Sequence, residues 1–433
     1  MKIVIAGTGY VGLVTGVCFA EKGHIVTCVE TDEKKVEQLN KGIPTIFEAG
    51  LEELMNKNSE RLRFTSDYKT AYKNAEVVFI CVNTPERVDG SANLKYVHTV
   101  AQQLAACAEK NCVAVVKSTV PIGTNDKIEK LLNAEKKHDV SFAVVSNPEF
   151  LAQGTAVNDT LNPSRIVIGA NEKYTQNLML EIYKEFAAEK IVTDRRTAEM
   201  VKYASNNFLA VKISYINEIA NLCELVDANI DVVSYSMGLD SRIGRHFLQA
   251  GAGYGGSCFP KDTKALHWLA KHHDYEIKTV KAAIEVNENQ KLRLSKKAKK
   301  YYKSFEKLNI AILGLTFKPG TDDLRESPAL PNIQFFLDEG ANVKVWDPTG
   351  YANIKKLYPT ELICCNTISD ALDNADLCLI LTQWKEILQI SLSEFKNRMN
   401  KPVVIDGRNC FDPAKAVDYG IIYDSIGRKA FSQ

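Results

Sequence analysis

The 433-residue chain has eleven cysteines but no CxxC pair. That absence removes zinc ribbons and thioredoxin-type redox motifs from consideration, and no metal is expected. No apolar run reaches the ~18 residues that a membrane span requires. Neither sign of charge is in excess. The formal net charge of +1 makes no whole-chain case for a nucleic-acid or membrane partner. An odd number of cysteines without secretory context favours reduced thiols and a cytoplasmic location. Hydrophobic residues at 45% and charged residues at 25% are ordinary for a soluble globular chain of two or three domains. The opening MKIVIAGTGYVGLVTGVCFA has the outline of a signal peptide. Glycines at 7, 9, 12 and 16 interrupt it, however, and EKGHIVTCVE continues as a further strand, so it is read as structure.

What is present is alternation. KIVIA (2–6), HIVTCVE (24–30), AEVVFICV (75–82), CVAVVKST (112–119), FAVVSNPEF (142–150) and SRIVIGA (164–170) are apolar strand runs separated by helical stretches. The pattern predicts a mostly parallel sheet with helices on both faces. TAEMVKYASNNFLAVKISYINEIANLCELVDA (197–228) contains neither proline nor glycine and predicts one continuous helix. Helical stretches follow to about residue 305. Strand runs return at LNIAILG (308–314), ANVKVWDP (341–348), ADLCLILT (375–382) and KPVVIDGR (401–408). The expected fold class is α/β: doubly wound, Rossmann-like domains at 1–195 and 306–433, with a helical domain at 196–305 between them. The basic run KLRLSKKAKKYYK (291–303) reads as a solvated helix face.

GTGYVG (7–12) follows a strand and opens a helix, and Glu30 ends the second strand. In that context G-x-G-x-x-G signifies dinucleotide binding. Gly7 makes the turn, Gly9 admits the pyrophosphate, Gly12 packs helix on strand, and Tyr10 and Val11 lie in the same phosphate-facing turn. The helix N-terminus supplies amide donors. Glu30 would accept the adenosine ribose hydroxyls and repel a 2′-phosphate, which favours NAD over NADP. The second α/β domain has only Gly314 after its first strand. Its loop FKPGTDDLRESP (317–328) carries Lys318 and Arg325 among acids, which fits either phosphate binding by side chains or a solvated salt-bridge loop.

Two further features carry chemistry. Lys202 and Asn206 share one helix face, where an ammonium and an amide could polarise a hydroxyl or stabilise an alkoxide; the same spacing is also common on ordinary helix surfaces. In GYGGSCFPKD (253–262), Gly255 and Gly256 remove bulk before Cys258, and Lys261 is a local cation that would favour thiolate. Oxidising an alcohol to an aldehyde needs only a base and the cofactor. Carrying the aldehyde on to an acid needs a covalent adduct that can lose a second hydride. A thiolate provides it as a thiohemiacetal, whose oxidation leaves a thioester for water to cleave. The cysteine therefore points to a four-electron dehydrogenase.

Long motifs in order make the resemblance specific: GTGYVGLVTG (7–16), NTPERVDGSANL (83–94), KSTVPIGT (117–124), SNPEFLAQGTAVND (146–159), AEMVKYASNNFLAVKISYINEIANLCE (198–224), RIGRHFLQAGAGYGGSCFPKD (242–262), LTFKPGTDDLRESPA (315–329) and DGRN (406–409). The chain resembles the UDP-glucose 6-dehydrogenases of the UDP-glucose/GDP-mannose dehydrogenase family almost end to end. The resemblance implies oxidation of UDP-glucose to UDP-glucuronate by NAD, in nucleotide-sugar metabolism that feeds polysaccharide synthesis, by a homodimer formed through the helical domain. It implies Cys258 as nucleophile, with Lys202, Asn206 and Asp262 around the reacting oxygen and Thr119 and Glu149 positioning water and base. Glu149, Phe150, Leu151, Lys202, Asn206, Phe247, Leu248, Gln249, Ala250, Gly251, Gly255, Lys318 and Arg408 correspond to sugar-nucleotide contacts, and Arg242 to one made across the dimer. Glu30, Lys35, Thr84, Thr119 and Arg325 correspond to NAD contacts. Departures are Gln153 in place of a second glutamate, Ala152 where many bacterial members carry arginine, Glu30 for aspartate, and Ser164 in the PSR triplet. A sister enzyme acting on GDP-mannose or a UDP-N-acetylhexosamine is the nearest alternative.

Overall fold

The computed structural model describes residues 1–429. They divide into two compact units: Met1–Ser205 with Lys271–His273, and the remainder.

The first unit is built on an eight-stranded sheet of β1 (Lys2–Ala6), β2 (Ile25–Val29), β3 (Leu62–Thr65), β4 (Val77–Ile80), β5 (Cys112–Val116), β6 (Phe142–Ser146), β7 (Arg165–Gly169) and β8 (Glu189–Thr193). Their order is β3-β2-β1-β4-β5-β6-β7-β8. Every pairing is parallel except the contact between β6 and β7. Strand residues alternate between two cores, so both faces are covered: Ile3 and Ile5 pack with Leu13 and Phe19, while Val4 and Ala6 pack with Val100 and Leu104. Ala6 is in register with both Val29 and Ile80. The loops leaving those three strands therefore start side by side, at the point where strand order reverses. Open α/β sheets bind ligands at that edge.

The second unit repeats the plan. Its six strands are β9 (Asn309–Leu313), β10 (Asn342–Trp346), β11 (Leu362–Cys364), β12 (Leu377–Ile380), β13 (Val403–Asp406) and β14 (Ile422–Ser425). All are parallel, in the order β11-β10-β9-β12-β13-β14. A single helix spans Arg195–Leu225, as the uninterrupted pattern predicts.

Four strands escaped the sequence reading, namely β3, β8, β11 and β14, and all four are sheet edges. Edge strands pair on one side only and lack the apolar runs that mark central ones: β8 has no buried residue, and β14 buries the polar Asp424 and Ser425. The reading of 291–303 as a solvated face is also corrected. Leu294 and Ala298 are core residues. Lys297 is 2% exposed and bonds both Glu224 (2.9 Å) and Asp424 (2.7 Å), while Lys291 bonds Glu288 and Glu326. Lys291 and Lys297 are thus buried and paired, which hydropathy alone cannot reveal, whereas Lys296, Lys299, Lys300 and Lys303 lie on an exposed face as expected.

Candidate active site

Each strand end of the first sheet delivers part of a site. Gly7 follows β1 with φ +96°, and the helix Tyr10–Glu21 begins immediately after. A Cβ on Gly12 would lie 1.9 Å from the Gly7 carbonyl oxygen, so glycine there is a packing requirement. Gly9 differs: the nearest atom to a Cβ there is Asn83 Oδ1 at 3.8 Å. Its lack of a side chain leaves open space at a helix N-terminus that no side chain caps. That is the cradle a pyrophosphate needs, and the residues fit NAD. Tyr10 donates its hydroxyl to the Phe47 carbonyl (2.7 Å), and Val11 packs on the core.

Glu30 is half-buried after β2. It accepts from the Thr8 hydroxyl and from the amides of Thr31 (2.8 Å) and Asp32 (3.1 Å). Burial alone would raise its pKa, but the Thr8 hydroxyl, the Asp32 amide and the nearby Lys35 charge hold it below the ordinary carboxylate value. After β4 and β5, the buried Thr84 donates its hydroxyl to the Thr119 carbonyl (2.9 Å). After β6, Glu149 is 6% exposed and accepts from the Lys202 ammonium (2.9 Å) and the Leu151 amide (2.7 Å). The Phe150 ring lies under the Arg165 guanidinium (3.9 Å) and near Lys202 Nζ (5.3 Å). Thr84 with Thr119, and Glu149 with Phe150, Leu151 and Lys202, are thus brought together.

Sequence reasoning missed the support beneath this edge. Lys117 is buried with its ammonium on Asn147 Oδ1 (3.2 Å) and the Tyr183 hydroxyl (3.2 Å). Desolvation pushes its pKa below the usual lysine value. Asn147 also donates to the Val167 carbonyl, which fixes the start of the Glu149 loop. The KSTVP and SNPEF motifs contained both residues, but nothing in the sequence said that they meet.

The second unit holds the cysteine. Cys258 is the only exposed cysteine among the described residues. It sits immediately before the helix Phe259–Lys271, and its carbonyl accepts the Asp262 amide (2.8 Å). A helix N-terminus favours the anionic form of a thiol placed there. Lys261, the cation expected near the thiol, has its Nζ 2.5 Å from Asp262 Oδ1. Asp262, 1% exposed, also accepts from Asn206 Nδ2 (2.7 Å), so Asn206 and Asp262 are brought together. The glycines before Cys258 are packing requirements as well. A Cβ on Gly255 would meet the Glu326 carbonyl oxygen at 2.3 Å, and one on Gly256 (φ +82°) the Phe317 ring at 2.8 Å. They admit the chain's own 317–326 loop.

In that loop Arg325 forms a bidentate pair with Asp323 (2.9 and 2.6 Å), and Lys318 Nζ lies 5.7 Å from the Phe317 ring centroid. Phe247 is exposed in the left-handed region (φ +64°) with its ring edge on Phe259. Leu248 and Ala250 are buried, and Gln249 reaches Gln383 (3.2 Å). Arg242 is exposed and paired with Asp240 (2.6 Å). Arg408 follows β13, half-buried with its Nη2 atom enclosed. It donates to the carbonyls of Leu381 (2.7 Å) and Gly253 (3.4 Å), and its Nη2 has no partner among the described residues. Burial lowers its pKa from the usual arginine value. A buried guanidinium arm with no internal acceptor suits an anionic or carbonyl-bearing ligand.

Among the described residues no group of histidine, cysteine and carboxylate side chains could hold a metal, and no helix is long and apolar enough to cross a membrane.

Residues 1–187, 196–289 and 311–413 match, in turn, the NAD binding, central and UDP binding domains of the UDP-glucose/GDP-mannose dehydrogenase family. The chain belongs to that family. It is 45% identical to a UDP-glucose 6-dehydrogenase of Bacillus subtilis (strain 168) over 432 residues, 99% of this chain and 98% of the relative. It is also 45% identical to one of Rhizobium meliloti (strain 1021), over 99% of this chain and all of the relative. A UDP-glucose dehydrogenase structure from Pyrobaculum islandicum superposes with TM-score 0.92 at 36% identity, covering 98% of this chain and 96% of that one. The UDP-N-acetyl-mannosamine dehydrogenase Cap5O from Staphylococcus aureus superposes at 0.80 with 26% identity, covering 98% of each chain.

Proposed function

We propose that the chain oxidises UDP-glucose to UDP-glucuronate with two NAD, through a thiohemiacetal and a thioester on Cys258. The observation that carries this reading is the one exposed cysteine, set at a helix N-terminus, in a family member whose curated relatives at 40–45% identity are UDP-glucose 6-dehydrogenases. Bound NAD supplies the hydride acceptor for both oxidations. Gly7, Gly9 and the amides of Tyr10, Val11 and Gly12 hold its pyrophosphate, Glu30 and Lys35 its adenosine end, and Thr84, Thr119 and Arg325 further contacts.

In the first oxidation the C6 hydroxyl gives up its proton to solvent, Lys202 and Asn206 stabilise the alkoxide, and loss of a hydride from C6 leaves the aldehyde. The Cys258 thiolate then adds to the aldehyde carbon, and the adduct oxygen takes up a proton. Loss of that proton and a second hydride leaves the thioester. Glu149, held by Lys202, takes a proton from the attacking water, and Asp262 stabilises the polar groups around the reacting carbon. The C–S bond breaks, carboxylate leaves and the thiolate is restored. Phe150, Leu151, the 247–251 segment, Gly255, Lys318 and Arg408 hold the sugar nucleotide.

We further assign residues 1–195 to NAD, 196–305 to a helical dimerisation domain and 306–433 to the sugar nucleotide, in a cytoplasmic homodimer to which Arg242 contributes across the interface. Phe208, Tyr215 and Leu222 support the dimer. They recur every seven residues on the long helix and are 65%, 49% and 53% exposed, an apolar stripe that a second copy would cover. A panel of nucleotide sugars assayed for NADH formation tests the substrate. UDP-glucose should give the highest kcat/KM, and a higher value for GDP-mannose or a UDP-N-acetylhexosamine would overturn the assignment.

A further inference from the structure

Residues 251–256, which lead into Cys258, are buried yet belong to no helix or strand. Buried irregular backbone must find partners for its amides and carbonyls. Here most of them come from side chains. The Gly251 amide donates to Asn217 Oδ1 (2.8 Å), and its carbonyl accepts from Gln290 Nε2 (2.7 Å). Asn287 takes both groups of Tyr254, accepting from its amide (2.8 Å) and donating to its carbonyl (3.0 Å), as a residue on a neighbouring β-strand would. Asn217, Asn287 and Gln290 are 0%, 1% and 1% exposed.

Asn287 and Gln290 lie three apart on the helix Lys278–Lys291, so one rigid element grips both Gly251 and Tyr254. The grip continues toward the thiol: the Tyr254 ring packs edge-on against Phe259, the residue after Cys258 (centroids 5.9 Å). Gly253 is part of the fit. Its φ is +95°, and a Cβ there would come within 2.9 Å of Asn287 Oδ1.

We propose that Asn287, assisted by Gln290, is a positioning residue that sets where the Cys258 sulfur stands. The proposal rests on the reading of Cys258 as the nucleophile. It predicts that loosening the grip damages thiol chemistry more than ligand affinity.

The experiment compares wild type with Asn287→Ala and Gln290→Met. Two quantities are measured: steady-state kinetics with NAD and UDP-glucose, and the rate of Cys258 carbamidomethylation by iodoacetamide against pH, followed by peptide mass. Misplacement of a reacting group typically costs about 10- to 100-fold. Asn287→Ala should therefore lower kcat by about that factor while the KM for UDP-glucose moves less than about three-fold. The alkylation rate should change at least about three-fold, with a displaced pH profile. Gln290→Met, which keeps side-chain volume, should show the same signature more weakly, and it serves as the test if Asn287→Ala does not fold. Wild-type kcat and an unchanged alkylation profile in the folded variants would overturn the proposal, whatever happens to Tm. Alkylation needs neither cofactor nor sugar nucleotide, so its outcome stays separate from the choice of substrate.

Discussion

Strands β1 to β6 of the first sheet and the six of the second share one parallel order, yet the same positions do opposite things in each. After β1 the chain turns at Gly7 and enters a helix at Tyr10, leaving an uncapped N-terminus free for a phosphate. After β9 it turns at Gly314, also with positive φ, but residues 315–328 form a loop and no helix begins until Ala329. A Cβ on Gly314 would strike Thr382 backbone at 2.6 Å, so that glycine serves strand packing alone. The acids that follow the second strands diverge as well. Glu30 is half-buried and accepts from the Thr8 hydroxyl in the loop after β1 and from the Thr31 amide. Asp347 is fully buried and accepts from the amides of Leu315, Thr316, Thr349 and Gly350 and from the Trp384 indole. One fold thus yields a dinucleotide cradle in one copy and, in the other, a loop braced from within. Ligand choice is written in the loops that leave the strands.

If that contrast is right, variants at strand ends should separate by phenotype. The largest effect belongs to the first sheet. Glu149→Gln keeps size and hydrogen bonding but removes the basic oxygen, so thioester cleavage should slow by about 10²- to 10⁴-fold. Intact mass spectrometry after mixing with NAD and UDP-glucose should show a UDP-glucuronyl adduct on Cys258, preceded by a burst of NADH. Slow turnover without the adduct would place Glu149 earlier in the reaction.

Next comes Arg408→Met in the second sheet. Loss of charged hydrogen bonds worth about 1.5–3 kcal/mol should raise the KM for UDP-glucose roughly ten- to a hundred-fold. NAD affinity, measured by titration without substrate, should be unchanged.

Glu30→Gln should raise kcat/KM for NADP relative to NAD by about ten-fold, because a like charge facing the 2′-phosphate is removed. It also has a pH signature. A carboxylate whose folded pKa is depressed contributes stability above the ordinary carboxylate range and loses it as pH falls through the depressed value. Glu30→Gln should therefore flatten part of the acid-side fall in Tm.

The smallest effect on catalysis is expected at the equivalent acid of the second sheet. Asp347→Asn should cost about 1.5–3 kcal/mol of stability by denaturant titration, since several donors lose a charged acceptor, while cofactor preference stays that of wild type. A change in NAD selectivity there would erase the contrast between the two sheets.

The central strands, the long helix and the GTGYVG turn were legible because each carries a local signature: an apolar run, an unbroken helical pattern, or glycines at fixed offsets. The edge strands were not, since β8 and β11 bury nothing fully and so show no period. Site residues in long motifs could be picked out, but their partners could not. Lys261 near Cys258 in sequence suggested an activating cation, but its pairing with Asp262 could not be read from that spacing. Gly255 and Gly256 remove bulk before Cys258, but that Phe317 and Glu326, distant in sequence, are what lies against them could not be read. Asn287 and Gln290 carried no sequence signal, and only the path of the 251–256 segment shows what they hold.

The central claim is that Cys258 makes a single site perform two oxidations. Its most direct test is NADH counted against limiting UDP-glucose with NAD in excess. The account predicts two NADH per UDP-glucose, no free aldehyde trapped by a hydrazine, and no UDP-glucuronate from Cys258→Ser. A plateau at one NADH per UDP-glucose would contradict it.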